Sequence, residues 1–344
     1  MSLPETHEEE HPSLAGAAQQ NRMLAESLAE PLTAACNGRL ADLRWFRTDW
    51  QRGGAATGHA TWIPEPGSQD PAGRDRPGGQ PNTCEVVVKL PVNTRELAWL
   101  RRMQDGTPHP PVPVLYAGGE GLNGYDMAWV VIERIPHGPL GTHWHDSHVE
   151  RIAAAAARFY CQARRHPVDR SPRQEDWGAL NHAARESVKL NGIAERQRWT
   201  EGLKSVAHRL DRITADWESR HPVEWVHGDL HLANAMSRGS MEEGEVCLID
   251  LAEVRPGHWV EDAVYLERLL WAAPERLKAT RPVRAVADAR HAAGIEGGAD
   301  DARLANIRRL LLAATAPAFI RSEGHPAYLR ACLERMEQIL PLVR

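Results

Sequence analysis

Three oxygen-bearing side chains, Asp229, Asn234 and Asp250, sit where short apolar segments end. The pair Trp225-Val226 leads into His227-Gly228-Asp229, Asn234 follows that aspartate by five residues, and the run from Val246 to Ile249 delivers Asp250. Phosphoryl transfer asks a protein mainly for positioning and charge neutralisation, because the phosphoryl group is itself reactive. One carboxylate can orient an attacking hydroxyl, while a second carboxylate and an amide oxygen hold Mg2+ through hard oxygen ligands. On that division Asp229 stands beside the acceptor hydroxyl, Asp250 meets the metal, and Asn234 completes its shell with the Asp-x4-Asn spacing of a kinase catalytic loop. Asp and Asn also favour caps and turns. A run of capping residues, however, gives no reason for a second aspartate at the end of the next apolar run.

The residues HGDLHLAN from His227 to Asn234, followed by LID, then Gly257 and Asp262, resemble the aminoglycoside phosphotransferase and choline kinase group of kinase-like enzymes. In that group the pattern runs H-G-D-x-x-x-x-N, then I-D, then a glycine and a further aspartate before a helix. The order and spacing are kept here. The resemblance implies a protein-kinase-like two-lobe fold with Asp229 as catalytic base and Asn234 and Asp250 as magnesium ligands. It makes His227 and Asp262 braces of the catalytic loop. It further implies ATP as donor, with GTP as the alternative, and as acceptor a small hydroxylated molecule such as an antibiotic, an amino alcohol or a sugar.

The elements that must position these residues divide along the chain. Residues 1–13 are acidic and polar and predict a disordered tail. Leu14 to Cys36 reads as a helix, with Leu24, Leu28 and Leu32 at four-residue steps and Asn37-Gly38 as its stop. Leu43 to Trp50 and His59 to Ile63 predict paired strands joined by the small-residue loop 53–58. Such a loop admits backbone N–H groups close to phosphates. The resemblance makes Gly54 and Gly58 part of the turn over the nucleotide phosphates, although an ordinary hairpin turn would look the same. Residues 64–82 read as an insertion rich in Pro, Gly, Asp and Arg. Cys84 to Leu90 is a strand carrying Lys89, which the resemblance assigns to the α- and β-phosphates. Asn93 or Thr94 caps the next helix, whose Glu96 is the candidate partner of that lysine; a first-turn glutamate is also favoured by the helix dipole.

Val112 to Ala117 and Met127 to Ile135 predict two more strands. The break at Pro136-His137-Gly138-Pro139 corresponds in the family to a hinge, where the backbone from Glu133 to Ile135 meets adenine. Helices are expected over 151–164, 179–189, 196–220, 263–271, 302–319 and 327–340. Strands first and helices later argue for an α+β chain, with a small lobe over 14–135 and a larger helical lobe over 136–344.

Composition narrows the function classes. Hydrophobic content of 42%, charged content of 25% and a net charge of −5 describe an ordinary globular protein and give no basic footprint for nucleic acid. No apolar run approaches the ~20 residues that span a bilayer. Five cysteines lack metal or disulfide spacing, so reduced thiols in a cytoplasmic enzyme are expected. His143, His145 and His148 approach the metal motif of a hydrolase, but Asp146 stands one place early. From Ala263 to Arg344 the chain has 13 Lys plus Arg against 9 Asp plus Glu, which leans against an acidic pocket for cationic antibiotics. Trp259 either stacks on an acceptor or packs the core. Competing readings are a nucleotide-binding regulatory protein of the same fold and a protein kinase, with a metal-dependent hydrolase further off. Against the protein kinase, HGD replaces H-R-D and no A-P-E follows Asp250.

Overall fold

A computed structural model describes residues 23–47, 55–65, 83–107, 109–168, 170–220 and 224–343. The chain divides into two compact units, Met1–Arg134 and Ile135–Arg344. The expected tail 1–13, most of the insertion 64–82, and Gly54 lie outside the described residues.

The first unit is built on a five-stranded antiparallel sheet of order β1-β2-β3-β5-β4. Its strands are β1 (Leu40–Arg47), β2 (Ala56–Trp62), β3 (Cys84–Leu90), β4 (Leu115–Gly119) and β5 (Trp129–Glu133). Burial alternates along β2 and β3, so one face carries Val86, Val88 and Leu90 into a core shared with Leu28, Leu32, Trp129 and Val131. Helical residues begin at Met23, the first described, and pass after a break at Leu28 into α1 (Ala29–Ala35). Left-handed backbone at Asn37 and Gly38 ends that helix. The second strand, expected from His59, begins at Ala56, inside the loop expected over 53–58. Gly58 is the third residue of β2, opposite Trp45 and Val88. A Cβ there would lie 2.8 Å from Leu43 Cδ1 and 3.1 Å from the Arg44 carbonyl. Close strand approach, rather than a turn, requires this glycine.

Helix α2 (Thr94–Arg102) starts directly after β3; Asn93 caps it by accepting from the Arg95 N–H at 2.8 Å. It buries Glu96, Leu97, Trp99 and Leu100.

The second unit is mainly helical. Its helices are α3 (His148–Ala163), α4 (Trp177–Leu190), α5 (Arg196–Ala207), α6 (Leu210–Glu218), α7 (Val260–Arg268), α8 (Pro274–Ala279), α9 (Pro282–Ala292), α10 (Asp301–Thr315), α11 (Ile320–Glu323) and α12 (Pro326–Ile339). The single helix expected over 196–220 is two, broken at His208-Arg209. Trp199, Leu203 and Val206 are buried in one, Ile213 and Trp217 in the other. Val206 and Ile213 stand two helical turns apart, so the apolar period runs straight through the break and cannot reveal it. Two small two-stranded antiparallel sheets complete the unit: β6 (Glu224–Val226) with β9 (Arg255–Gly257), and β7 (Ala235–Ser237) with β8 (Val246–Leu248). These four strands hold the segments that carry Asp229, Asn234 and Asp250. Among the described residues, no helix is long and apolar enough to cross a membrane.

Candidate active site

Strand β6 ends at Val226, and the chain enters His227-Gly228-Asp229 through a turn fixed from three sides. Asp262, near the start of α7, is 1% exposed. Its Oδ2 accepts from the His227 N–H at 2.8 Å and the Tyr160 hydroxyl at 2.9 Å, and its Oδ1 accepts from the Gly228 N–H at 2.8 Å. Burial pushes the Asp262 carboxyl upward, opposed by His227, Arg255 and the two backbone donors. The His227 ring is fully buried. Its Nδ1 accepts from the Asp229 N–H at 3.3 Å, so the proton belongs on Nε2, which donates to the Ile249 carbonyl at 3.1 Å. That pairing fixes a neutral tautomer, and burial lowers the His227 pKa further below its ordinary value. Gly228 has φ +84°, and a Cβ there would fall 2.2 Å from both the Glu253 carbonyl and Arg255. Only glycine fits.

The loop delivers Asp229 half-buried, with donors converging on its carboxylate. Asn234 Nδ2 donates to Asp229 Oδ2 at 2.8 Å and to its backbone carbonyl at 3.1 Å. His231 Nδ1 accepts from the Ala233 N–H at 3.0 Å, which leaves Nε2 as the donor, 3.3 Å from Asp229 Oδ2. Tyr265 adds a side-chain hydrogen bond. Burial alone would raise the Asp229 carboxyl; His231 and Tyr265 outweigh it and hold it at about 2.

Asp250 follows β8 in left-handed conformation, φ +63°, and is half-buried. The β7–β8 register pairs Ala235 with Leu248, and the Ile249 N–H donates to the Asn234 carbonyl at 2.9 Å. Asn234 and Asp250 are thus brought to neighbouring positions. Because the Asn234 amide nitrogen is turned onto Asp229, its amide oxygen faces the other way. A hard amide oxygen beside a hard carboxylate suits Mg2+, which takes few protein ligands and completes its octahedron with water and phosphate oxygens.

In the first unit, Lys89 Nζ donates to both oxygens of Glu96, at 2.8 and 2.9 Å. The strand-to-helix connection contains only Pro91, Val92 and Asn93, so a separation of seven residues suffices for the pair. Glu133, the last residue of β5, buries its carboxylate against the Val114 N–H at 3.3 Å, and its own N–H donates to the Val114 carbonyl at 2.8 Å. Ile135 is buried.

The remaining candidates disperse. His148 Nε2 lies against the Met241 carbonyl at 2.9 Å, His145 Nδ1 against Ser147 Oγ at 2.8 Å, and His143 Nδ1 against Thr142 Oγ1 at 3.2 Å. Among the described residues no cluster of three or more His, Cys, Asp or Glu side chains is placed to hold a metal. Trp259 is core, 3% exposed with the Arg290 guanidinium 5.1 Å above its ring. It does not line the cavity beside Asp229. That cavity, of about 560 Å3, is bordered by Gly141, His231, Leu232, Tyr265, Arg268 and Tyr328, among others. Sequence reasoning weighed His231 only within Gly228-Asp229-x-His231, a pattern similar to metallophosphoesterases whose further motifs the chain lacks, and gave Tyr265 no role. His231 stood inside the motif two residues after Asp229, and Tyr265 lies one helical step beyond Asp262, on the helix that braces the loop.

Solved structures share this architecture. A thermostable mutant of aminoglycoside phosphotransferase APH(4)-Ia, solved with AMP-PNP and hygromycin B, superposes with a TM-score of 0.50 at 14% identity, over 92% of this chain and 98% of that one. The microcompartment-associated aminopropanol kinase superposes with a TM-score of 0.53 at 13% identity, over 88% and 91%. The fold is therefore the protein-kinase-like α+β fold of small-molecule phosphotransferases. The sequence model of the phosphotransferase enzyme family, APH, matches residues 83–305, and the chain belongs to that family. Comparison with curated proteins finds no match.

Proposed function

We propose that the protein is an ATP- and magnesium-dependent phosphotransferase that moves the γ-phosphoryl group to a hydroxyl of a small acceptor. The observation that carries this reading is the Asp229 carboxylate, oriented by Asn234, His231 and Tyr265 at the edge of a cavity large enough for a small molecule. The acceptor hydroxyl hydrogen-bonds to Asp229, its oxygen attacks the γ-phosphorus, and the bond to the ADP oxygen breaks as the proton passes to the carboxylate. A carboxylate whose pKa is about 2 takes that proton late, so its main contribution is to aim the hydroxyl. Magnesium, held by Asn234 and Asp250, would neutralise charge on the donor phosphates. Lys89, fixed by Glu96, is assigned to the α- and β-phosphates, and the backbone from Glu133 to Ile135 to the adenine. Gly58, within β2, and Gly54 are assigned to the strand-turn that approaches the phosphates.

The test is magnesium-dependent ADP release from ATP across hydroxylated acceptors, comparing the native chain with Asp229→Asn. The expected result is acceptor-stimulated release that falls by roughly 10²- to 10⁴-fold in the variant, the usual weight of a positioned base. Nucleotide binding without release by any acceptor would favour the regulatory reading instead, and failure to bind nucleotide would overturn both.

A further inference from the structure

The cavity beside Asp229 has a chemistry of its own. Two of its lining residues, His231 and Tyr265, hydrogen-bond to the Asp229 carboxylate together with Asn234. Leu232, Leu269 and Ala272 supply apolar wall, and Tyr328 a second aromatic ring. The charged and titratable groups lining it are Arg268, His231, His325, Tyr265 and Tyr328; Asp229 stands at its edge, and among the described residues no Asp or Glu is part of the lining. Glu267, next to Arg268 on α7, points elsewhere: Arg309 takes its two oxygens at 2.8 and 2.7 Å, and Trp271 Nε1 donates to it at 3.1 Å. Arg268 is 8% exposed, with its guanidinium 4.3 Å from the centroid of the Tyr265 ring. The Tyr265 hydroxyl meets the Asp229 carboxylate and also takes a hydrogen bond from Arg268, so carboxylate, hydroxyl and guanidinium follow one another along the cavity wall.

We propose that the acceptor is a hydroxylated carboxylate with a compact apolar or aromatic body, its carboxylate recognised by Arg268 and its hydroxyl directed to Asp229. This rests on the phosphotransferase reading above and names the substrate class for that same site. A guanidinium presents a planar fork of donors that matches a carboxylate, and it keeps its charge at every physiological pH. A polycationic acceptor would bring ammonium groups against Arg268 and two imidazoles with no lining carboxylate among the described residues to receive them, an arrangement that selects against it. The apolar wall accounts for the body of the molecule.

Three compounds of one shape separate the charges: 4-(hydroxymethyl)benzoate, 4-(hydroxymethyl)benzamide and 4-(aminomethyl)benzyl alcohol. Each is titrated calorimetrically into the full chain with magnesium and ATP analogue present, and each is assayed for stimulated ADP release. The benzoate is expected to bind at least tenfold more tightly than the amide, and the amine more weakly still. Arg268→Gln is expected to erase the tenfold preference while amide affinity stays within twofold, which reports an intact cavity. Should that variant fail to fold, raising salt on the native chain is expected to weaken the benzoate and spare the amide. Equal affinities, tighter binding of the amine, or no measurable benzoate binding overturns the proposal while leaving the phosphotransferase reading standing wherever nucleotide binds. Absence of nucleotide binding overturns that reading, and the acceptor assignment with it.

Discussion

At the scale of single residues, the site depends on where protons are held. His227 is neutral because its Nδ1 accepts from the Asp229 N–H and its Nε2 donates to Ile249, and burial lowers its pKa. Burial lowers the pKa of His148 and His258 as well. A histidine whose folded pKa is depressed binds fewer protons folded than unfolded, so stability is full above the ordinary value of 6.5 and declines as pH falls below it. The urea midpoint should therefore drop between pH 7 and pH 5, and His227→Gln should flatten that slope. A midpoint independent of pH over that range would contradict the neutral assignment. Asp229 has the opposite chemistry and the same sign. Its pKa lies near 2 rather than 3.8, so its stabilisation is complete above about pH 4 and is lost only as pH falls toward 2. An acid limb of the rate profile above pH 5 would thus belong to another group.

At the scale of elements, the loop carrying Asp229 is held by the first turn of α7. Asp262→Ala would leave the His227 and Gly228 N–H groups and the Tyr160 hydroxyl without an acceptor in a buried place, which should cost roughly 3 kcal/mol or more. Tyr160→Phe loses one hydrogen bond to a carboxylate and should cost about 1–2 kcal/mol. Urea denaturation of the pair separates the two, and equal effects would argue that the backbone contacts carry little. Gly228→Ala meets the Glu253 carbonyl and should abolish soluble expression or activity. Much of this was legible beforehand, because Asp229, Asn234, Asp250 and Asp262 sit at fixed spacing within some thirty-five residues of chain. The Lys89–Glu96 pair was legible as a candidate and needed the short connection after β3 to be completed. The phosphate-loop assignment placed Gly58 in a turn, because a run of small residues looks alike in a turn and in a crowded strand. Tyr265 was missed since a tyrosine on an amphipathic helix gives no sign of what it touches.

For the whole molecule, the second unit carries a network of buried charges that no local pattern announces. Glu224, 3% exposed, accepts from Arg290 at 2.8 Å and from the Trp259 N–H at 3.3 Å. Glu261 meets Arg220 at 3.2 Å and Arg255 at 3.1 Å, and Arg308, Arg255 and Arg220 keep it below the usual carboxylate range against the pull of burial. Partners 41 and 66 residues apart in the chain lie beyond the reach of any periodicity. Arg290→Met should cost roughly 3 kcal/mol, because buried Glu224 would keep only the Trp259 N–H and the exposed Arg164 at 3.7 Å, whereas the double change with Glu224→Leu should recover much of it. Thermal unfolding of the three variants gives the comparison, and an additive double mutant would exclude the coupling. The network has a further consequence through α7. That helix holds the loop carrying Asp229 at one end with Asp262 and reaches the proposed acceptor cavity with Tyr265 and Arg268, so a shift of its backbone to suit a new acceptor would dislodge the loop. A change of acceptor preference is therefore expected to come from exchanging side chains at fixed stations along one helix, not from sliding the helix itself.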